Sequence, residues 1–130
     1  MKKLALLSAL ALVVAVGCKS AERRNPLEGM PAGAPAQKIK VTAKKFDFVP
    51  AEIHVKQGNH VVLEIQSLDV THGIAIPHYG IDVTLPPEKK VTVEFYAAQA
   101  GTYPFHCSHF CGLGHGGMKG KVIVEPAVAP

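Results

Sequence analysis

Over residues 38–125 no stretch of this chain sustains a helical period, and that absence narrows the possible folds more than any other feature. Apolar residues recur instead at alternate positions in short runs. Ile39, Val41 and Ala43 alternate with polar neighbours, and Phe46-Asp47-Phe48-Val49 carries this first run to Pro50. Residues 53–56 form a second run, stopped by Gln57-Gly58-Asn59, and Val61, Leu63 and Ile65 share one face of residues 60–66. Residues 73–77, 90–96, 101–105 and 121–125 continue the series. Such runs, bounded by turn residues, mark an all-β sandwich or barrel. About seven strands predict two antiparallel sheets packed as a Greek-key β-sandwich. The 130 residues allow one domain, expected at 38–126 with a tail at 127–130.

The N-terminus has a different texture. Lys2 and Lys3 precede an apolar run over residues 4–17, broken only by Ser8 and followed by Cys18. A charged start and a short apolar region describe a secretory signal at 1–17, too short to span a bilayer. Ala15-Val16-Gly17-Cys18 resembles the bacterial lipobox, although Leu is commoner where Ala15 stands. On that resemblance Cys18 becomes the lipid-bearing first residue of the mature protein. An ordinary signal peptide, with Cys18 removed or idle, is the competing reading. Residues 18–37 are charged at first, then rich in Pro, Gly and Ala, which predicts a flexible tether. On the lipobox reading the domain is expected in the periplasm or on the outer cell surface, anchored to the membrane through Cys18. Met30, alone in the tether, is expected to bind nothing. Removing Lys2 and Lys3 lowers the formal charge from +4 to about +2, and the scattered basic residues exclude a nucleic-acid footprint.

Chemistry concentrates in residues 102–121, TYPFHCSHFCGLGHGGMKGK, where Cys107, Cys111, His115 and Met118 follow at intervals of four, four and three. Thiolate, imidazole and thioether are soft ligands that select copper over oxygen-loving cations. An electron-transfer copper site commonly uses two His, one Cys and a weak axial Met, so one imidazole is missing. His72, in the loop Ser67-Leu68-Asp69-Val70-Thr71-His72-Gly73, is the candidate, against a buried His satisfied by hydrogen bonds. Asp69 either orients His72 or makes an Asx-type turn. Cys107 is either a ligand, a spectator, or half of a disulfide with Cys111. Tetrahedral zinc on His72, Cys107, Cys111 and His115 leaves Met118 unexplained. His54 and His60 are expected to be solvated, as strand histidines usually are. His106 and His109 flank Cys107, where they either collect copper transiently or tune the surface charge with pH. Gly112, Gly114, Gly116, Gly117 and Gly120 permit the turn that brings His115 and Met118 back to the thiols. Phe110, Leu113 and Pro104 form either an apolar rim around His115 or part of the core.

C-x3-C-x3-H-x2-M, preceded by Gly-Thr-Tyr and by an upstream Asp-Val-x-His, resembles the dinuclear copper A (CuA) site in the cupredoxin domain of cytochrome c oxidase subunit II. Nitrous oxide reductase carries a similar arrangement. The resemblance covers about residues 38–126. It implies two copper ions in a mixed-valence pair, bridged by Cys107 and Cys111, with His72 and His115 each binding one. Met118 would complete one copper and the backbone carbonyl of His109 the other. The family's oxidase members usually have Glu where His109 stands, and they use an aromatic patch with Trp to receive electrons from cytochrome c. This chain has no Trp. Nor does it show the paired transmembrane hairpin of subunit II, so a free-standing, membrane-tethered relative is expected. The resemblance implies an electron carrier and not an enzyme, with a cytochrome or terminal oxidase as redox partner and no small-molecule substrate, and a monomer is expected. A copper-delivery protein for oxidase assembly and a mononuclear blue-copper carrier are the alternatives.

Overall fold

A computed structural model describes residues 24–128. The expected signal segment and Cys18 lie outside the described residues. Among the described residues nine strands form two sheets. The first sheet contains β1 (Ala36–Lys44), β2 (Asp47–Val49), β4 (His60–Ser67) and β7 (Lys90–Tyr96), in the order β2-β1-β4-β7. The second contains β3 (Glu52–Lys56), β5 (His72–Ile76), β6 (Ile81–Leu85), β8 (Gly101–His106) and β9 (Lys119–Glu125), in the order β3-β9-β8-β5-β6. Among the described residues the helical content is two short 3-10 turns, Pro77–Tyr79 and His115–Gly117.

Alternation in the sequence becomes the sandwich interior. Val41, Leu63, Ile65 and Phe95 from the first sheet and Ile53, Ile74, Phe105 and Val122 from the second are at most 1% exposed and share one core. Each such side chain contributes about 1.5–3 kcal/mol by leaving water. Phe48 meets Phe105 edge-on across the sheets, with ring centroids 5.2 Å apart. β5 departs from alternation, since all five of its residues are buried. The space above Gly73 is taken by Ser108 and His109.

Three expectations change. The sheets are not wholly antiparallel: β1 runs parallel to β4, and β3 runs parallel to β9. The chain switches sheets between β1 and β4, entering the second sheet for β3, so no tight hairpin forces these neighbours antiparallel. A further strand, β6, pairs with β5 from His72↔Leu85 to Ile76↔Ile81. Finally, the described part of the expected tether lies against the sandwich. The N–H of Tyr96 donates to the Pro26 carbonyl at 2.9 Å, the N–H of His60 to that of Pro35 at 2.8 Å, and Arg24 Nη1 to the His78 carbonyl at 2.9 Å. Strand β1 itself begins at Ala36.

The sandwich thus has two distinguishable ends. His72 opens β5 at one of them, beside the segment joining β8 to β9. At the other, the 3-10 turn after β5 carries His78 and Tyr79, and Arg24 rests on it.

Candidate metal centre

β8 and β9 form an antiparallel pair whose last register position is His106↔Lys119. Beyond it the backbone N–H of Cys107 donates to the Met118 carbonyl at 2.9 Å, which closes the mouth of the connecting loop. The first and last side-chain donors of the motif are therefore brought together by the ladder. Inside the loop the N–H groups of His115, Gly117 and Met118 donate to the carbonyls of Gly112, Gly114 and His115, each at 3.1 Å. These turns fold His115 and Met118 back over the thiols.

His72 comes from the neighbouring strand. β5 and β8 pair at Ala75↔His106, and continuing that register puts Gly73 beside Ser108. A Cβ at residue 73 would collide with Ser108 Oγ and stand 3.0 Å from the His109 nitrogen. Glycine there is what lets the loop lie next to the strand. His72 is fully buried, and its Nε2 is 2.7 Å from Asp69 Oδ1. The carboxylate thus accepts a hydrogen bond from the Nε2–H, which leaves Nδ1 as the lone-pair nitrogen facing the thiols. Asp69 also accepts the N–H groups of Lys45 and of Val70, each at 2.7 Å. Burial raises its pKa, but those bonds and His72 outweigh the burial and hold the carboxyl below its ordinary range. Both roles weighed for Asp69, orienting His72 and shaping its own turn, are present.

The donors form a sequence in space. His72 Nδ1 is 3.9 Å from Cys107 Sγ, Cys107 Sγ 3.7 Å from Cys111 Sγ, and Cys111 Sγ 3.7 Å from His115 Nδ1 and 3.8 Å from Met118 Sδ. The carbonyl oxygen of His109 is 3.1 Å from Cys107 Sγ. Two ligands bonded to one ion at about 2.3 Å and near-tetrahedral angles stand about 3.8 Å apart, so this donor set fits a soft metal. His72, Cys107 and Cys111 have donor atoms all within 4.8 Å of one another, a set that His115 does not join. Both cysteines are free thiols, so they do not form a disulfide here. Burial, followed by the neighbouring Cys107 and the charge of Asp69, pushes the Cys111 thiol up to about 11. Ionising the Cys111 thiol at neutral pH calls for a cation.

The remaining candidates lie elsewhere. The His109 ring is exposed and bonds to the carbonyl of Phe110 at 3.0 Å, so its backbone alone faces the thiols. His106 is exposed. His54 lies 3.1 Å from Glu125, and His60 lies 3.2 Å from Glu94, each away from the metal loop. Phe110 and Leu113 are exposed at 69% and 103%, beside a half-buried His115, so they are rim and not core. Pro104 sits within β8 opposite Lys121. The sequence reading passed over Gly73, although it directly follows His72, and it placed Phe46 in a strand with no part in the site.

The chain is 34% identical over 91 residues to nitrous-oxide reductase of Cupriavidus necator, covering 67% of this chain and 14% of the reductase. It is 36% identical over 87 residues to cytochrome c oxidase subunit 2 of Thermus thermophilus, covering 67% of this chain and 64% of that subunit. The chain therefore spans less than two thirds of either relative. Among solved structures, a chain of a heme-copper terminal oxidase dimer superposes with a TM-score of 0.66 at 27% identity, covering 85% of this chain and 76% of that one. The periplasmic domain of cytochrome oxidase subunit II from Bradyrhizobium japonicum shares the fold, with a TM-score of 0.64 at 21% identity over 68% of this chain and 83% of that one. A family model described as the cupredoxin-like domain matches residues 7–124, and on that match, with the sandwich and the donor set above, the chain belongs to the cupredoxin-like domain family.

Proposed function

We propose that this protein relays single electrons through a dinuclear copper centre held by His72, Cys107, Cys111, His115, Met118 and the carbonyl of His109. The likeness to oxidase subunit 2 and to nitrous-oxide reductase supports the electron-transfer role. One observation carries the dinuclear reading: the two thiols stand between the two imidazoles, with His72 next to Cys107 and His115 next to Cys111. A mononuclear site on His72, Cys111, His115 and Met118 would leave Cys107 wedged among its ligands without a role. A single tetrahedral zinc would need His115 within the compact set that His72, Cys107 and Cys111 form without it.

When bound, the copper pair supplies one electron shared between two nuclei. The chain does the rest. His72, Cys107, Cys111 and Met118 are buried, which excludes water and fixes the donors against rearrangement. His115, half-buried with the Phe110 ring 5.7 Å from its own, offers the short path to the surface. A shallow depression of about 370 Å³ over Cys111, lined in part by Val70, His109 and Phe110, suits contact with a redox protein. Protein donors fill the site, which makes the chain a relay and not a catalyst. Buried ligands also argue against the copper-delivery reading, since delivery needs ligands an acceptor can reach. Attachment of the domain to the outer side of a membrane through Cys18 completes the proposal.

The test is an electron paramagnetic resonance spectrum with copper stoichiometry on the copper-loaded protein. Hyperfine splitting from two equivalent nuclei, at two coppers per chain, is the expected result. A single-nucleus pattern at one copper per chain overturns the dinuclear assignment. Retention of copper against a chelator through repeated redox cycles separates relay from delivery; ready transfer to a metal-free oxidase domain overturns the relay.

A further inference from the structure

Residues 45 and 46, in the turn between β1 and β2, supply no metal ligand, yet they touch both ligand-bearing segments. The N–H of Lys45 donates at 2.7 Å to Asp69, whose other oxygen is 2.7 Å from His72 Nε2. The next side chain, Phe46, is half-buried and packs against the core. A Cβ at Gly112 would stand 3.0 Å from its Cε1 and Cζ, whereas a Cβ at Gly114 would fall within its opposite edge, near Cγ, Cδ2 and Cε2. The metal loop therefore wraps around one ring, using two residues without side chains to do so. Gly112 is also at φ 138°, which favours glycine on its own, but Gly114 has an ordinary φ of −89°, so its lack of a side chain is explained by the ring.

We propose that Phe46 is a positioning residue for the metal centre. Its ring sets the path of residues 111–115, and hence the placement of Cys111 and His115. Its neighbouring peptide, through Asp69, ties that path to the orientation of His72. A ring is suited to this because it is rigid and fills the space that a glycine-rich loop cannot fill with its own side chains. The two halves of the donor set come from segments 35 residues apart, taking Cys107 and His72 as their nearest members. The turn at 45–46 is a physical link between them besides the strand ladder.

This inference rests on the copper reading above, and its test separates the two. Copper retention against a chelator and the visible spectrum would be compared for the wild type, Phe46→Ala, Phe46→Leu and Val55→Ala. Val55, buried in β3 and paired with Val124, serves as a core variant remote from the loop. Phe46→Ala is expected to lose copper at least about tenfold faster with a shifted spectrum, as for groups that orient metal ligands. Phe46→Leu should recover part of the loss, and Val55→Ala should leave the spectrum unchanged. Gly114→Ala alone should also weaken retention; combined with Phe46→Ala, which vacates the space, it should add little further loss. Wild-type spectrum and retention in Phe46→Ala, or simple additivity of the two changes, overturns the proposal. In metal-free protein, Phe46→Ala should speed hydrogen exchange at residues 112–117 relative to Val55→Ala. That readout decides the matter even if the wild type takes up no copper, an outcome that would defeat the copper reading alone.

Discussion

The two halves of the donor set are built in contrasting ways. His72 belongs to a strand buried along its whole length, and its ring is fixed by a carboxylate that is itself held by two backbone N–H groups. Cys111 and His115 lie on a glycine-rich loop held at its mouth by the Cys107 to Met118 bond and inside by three short turns. One half is formed by the sandwich before any metal arrives. The other has weak internal support and gains more from a ligand. A metal site assembled this way needs only part of its geometry from the core, and binding free energy orders the rest.

The largest test removes the atom that joins the halves. Cys107→Ser is expected to abolish the two-nucleus copper signal while circular dichroism still reports the sandwich; an unchanged spectrum would make Cys107 a spectator. Copper removal comes next. At a free-metal level about 1,000 times the dissociation constant, binding stabilises the fold by about 4 kcal/mol. Its withdrawal should lower Tm, with hydrogen exchange rising at 107–118 and hardly changing at 72–76. Equal rises in both segments would erase the contrast. Gly73→Ala attacks the seam between strand and loop, and overpacking there should cost about 1–3 kcal/mol in denaturant unfolding of the metal-free protein. Asp69→Asn keeps the shape but removes the charge behind His72, and copper affinity should fall about 10- to 100-fold in a chelator competition.

The smallest effect is expected at the far end of the sandwich. Burial, then the charge of Arg24, holds the His78 pKa below its ordinary 6.5. The unfolded chain therefore binds this proton more readily than the folded one. Stability from this group is complete above pH 6.5 and is lost as pH falls from there through the lower folded value. Denaturant midpoints of the metal-free protein at pH 7.5 and 5.5 should show a modest drop that Arg24→Ala reduces.

Why some of this was legible in the sequence and some was not follows from where the information resides. Cys107, Cys111, His115 and Met118 are local, so a hairpin loop closed by β8 and β9 converts their spacing directly into proximity. His72 was identifiable because an incomplete ligand set asked for an imidazole in another loop. Alternation exposes the strands but is indifferent to direction, so the parallel pairs β1/β4 and β3/β9 could not be read from it. Strand β6 did carry the signal, in Ile81, Val83 and Leu85, and was passed over between turn residues at Gly80 and Pro86. Phe46 has no signature of its own: its role exists only in relation to side chains that Gly112 and Gly114 lack.

The contact between Arg24 and the His78 carbonyl fixes a direction as well as a bond. From His72 to Ile76, β5 runs about 13 Å at about 3.3 Å per residue, and His78 lies beyond its far end. A pull applied to the chain upstream of Arg24 thus acts on the end of the sandwich away from the metal loop. If that pull comes from a lipid on Cys18, the loop is turned toward the aqueous side, where a redox protein can approach it without first displacing the membrane.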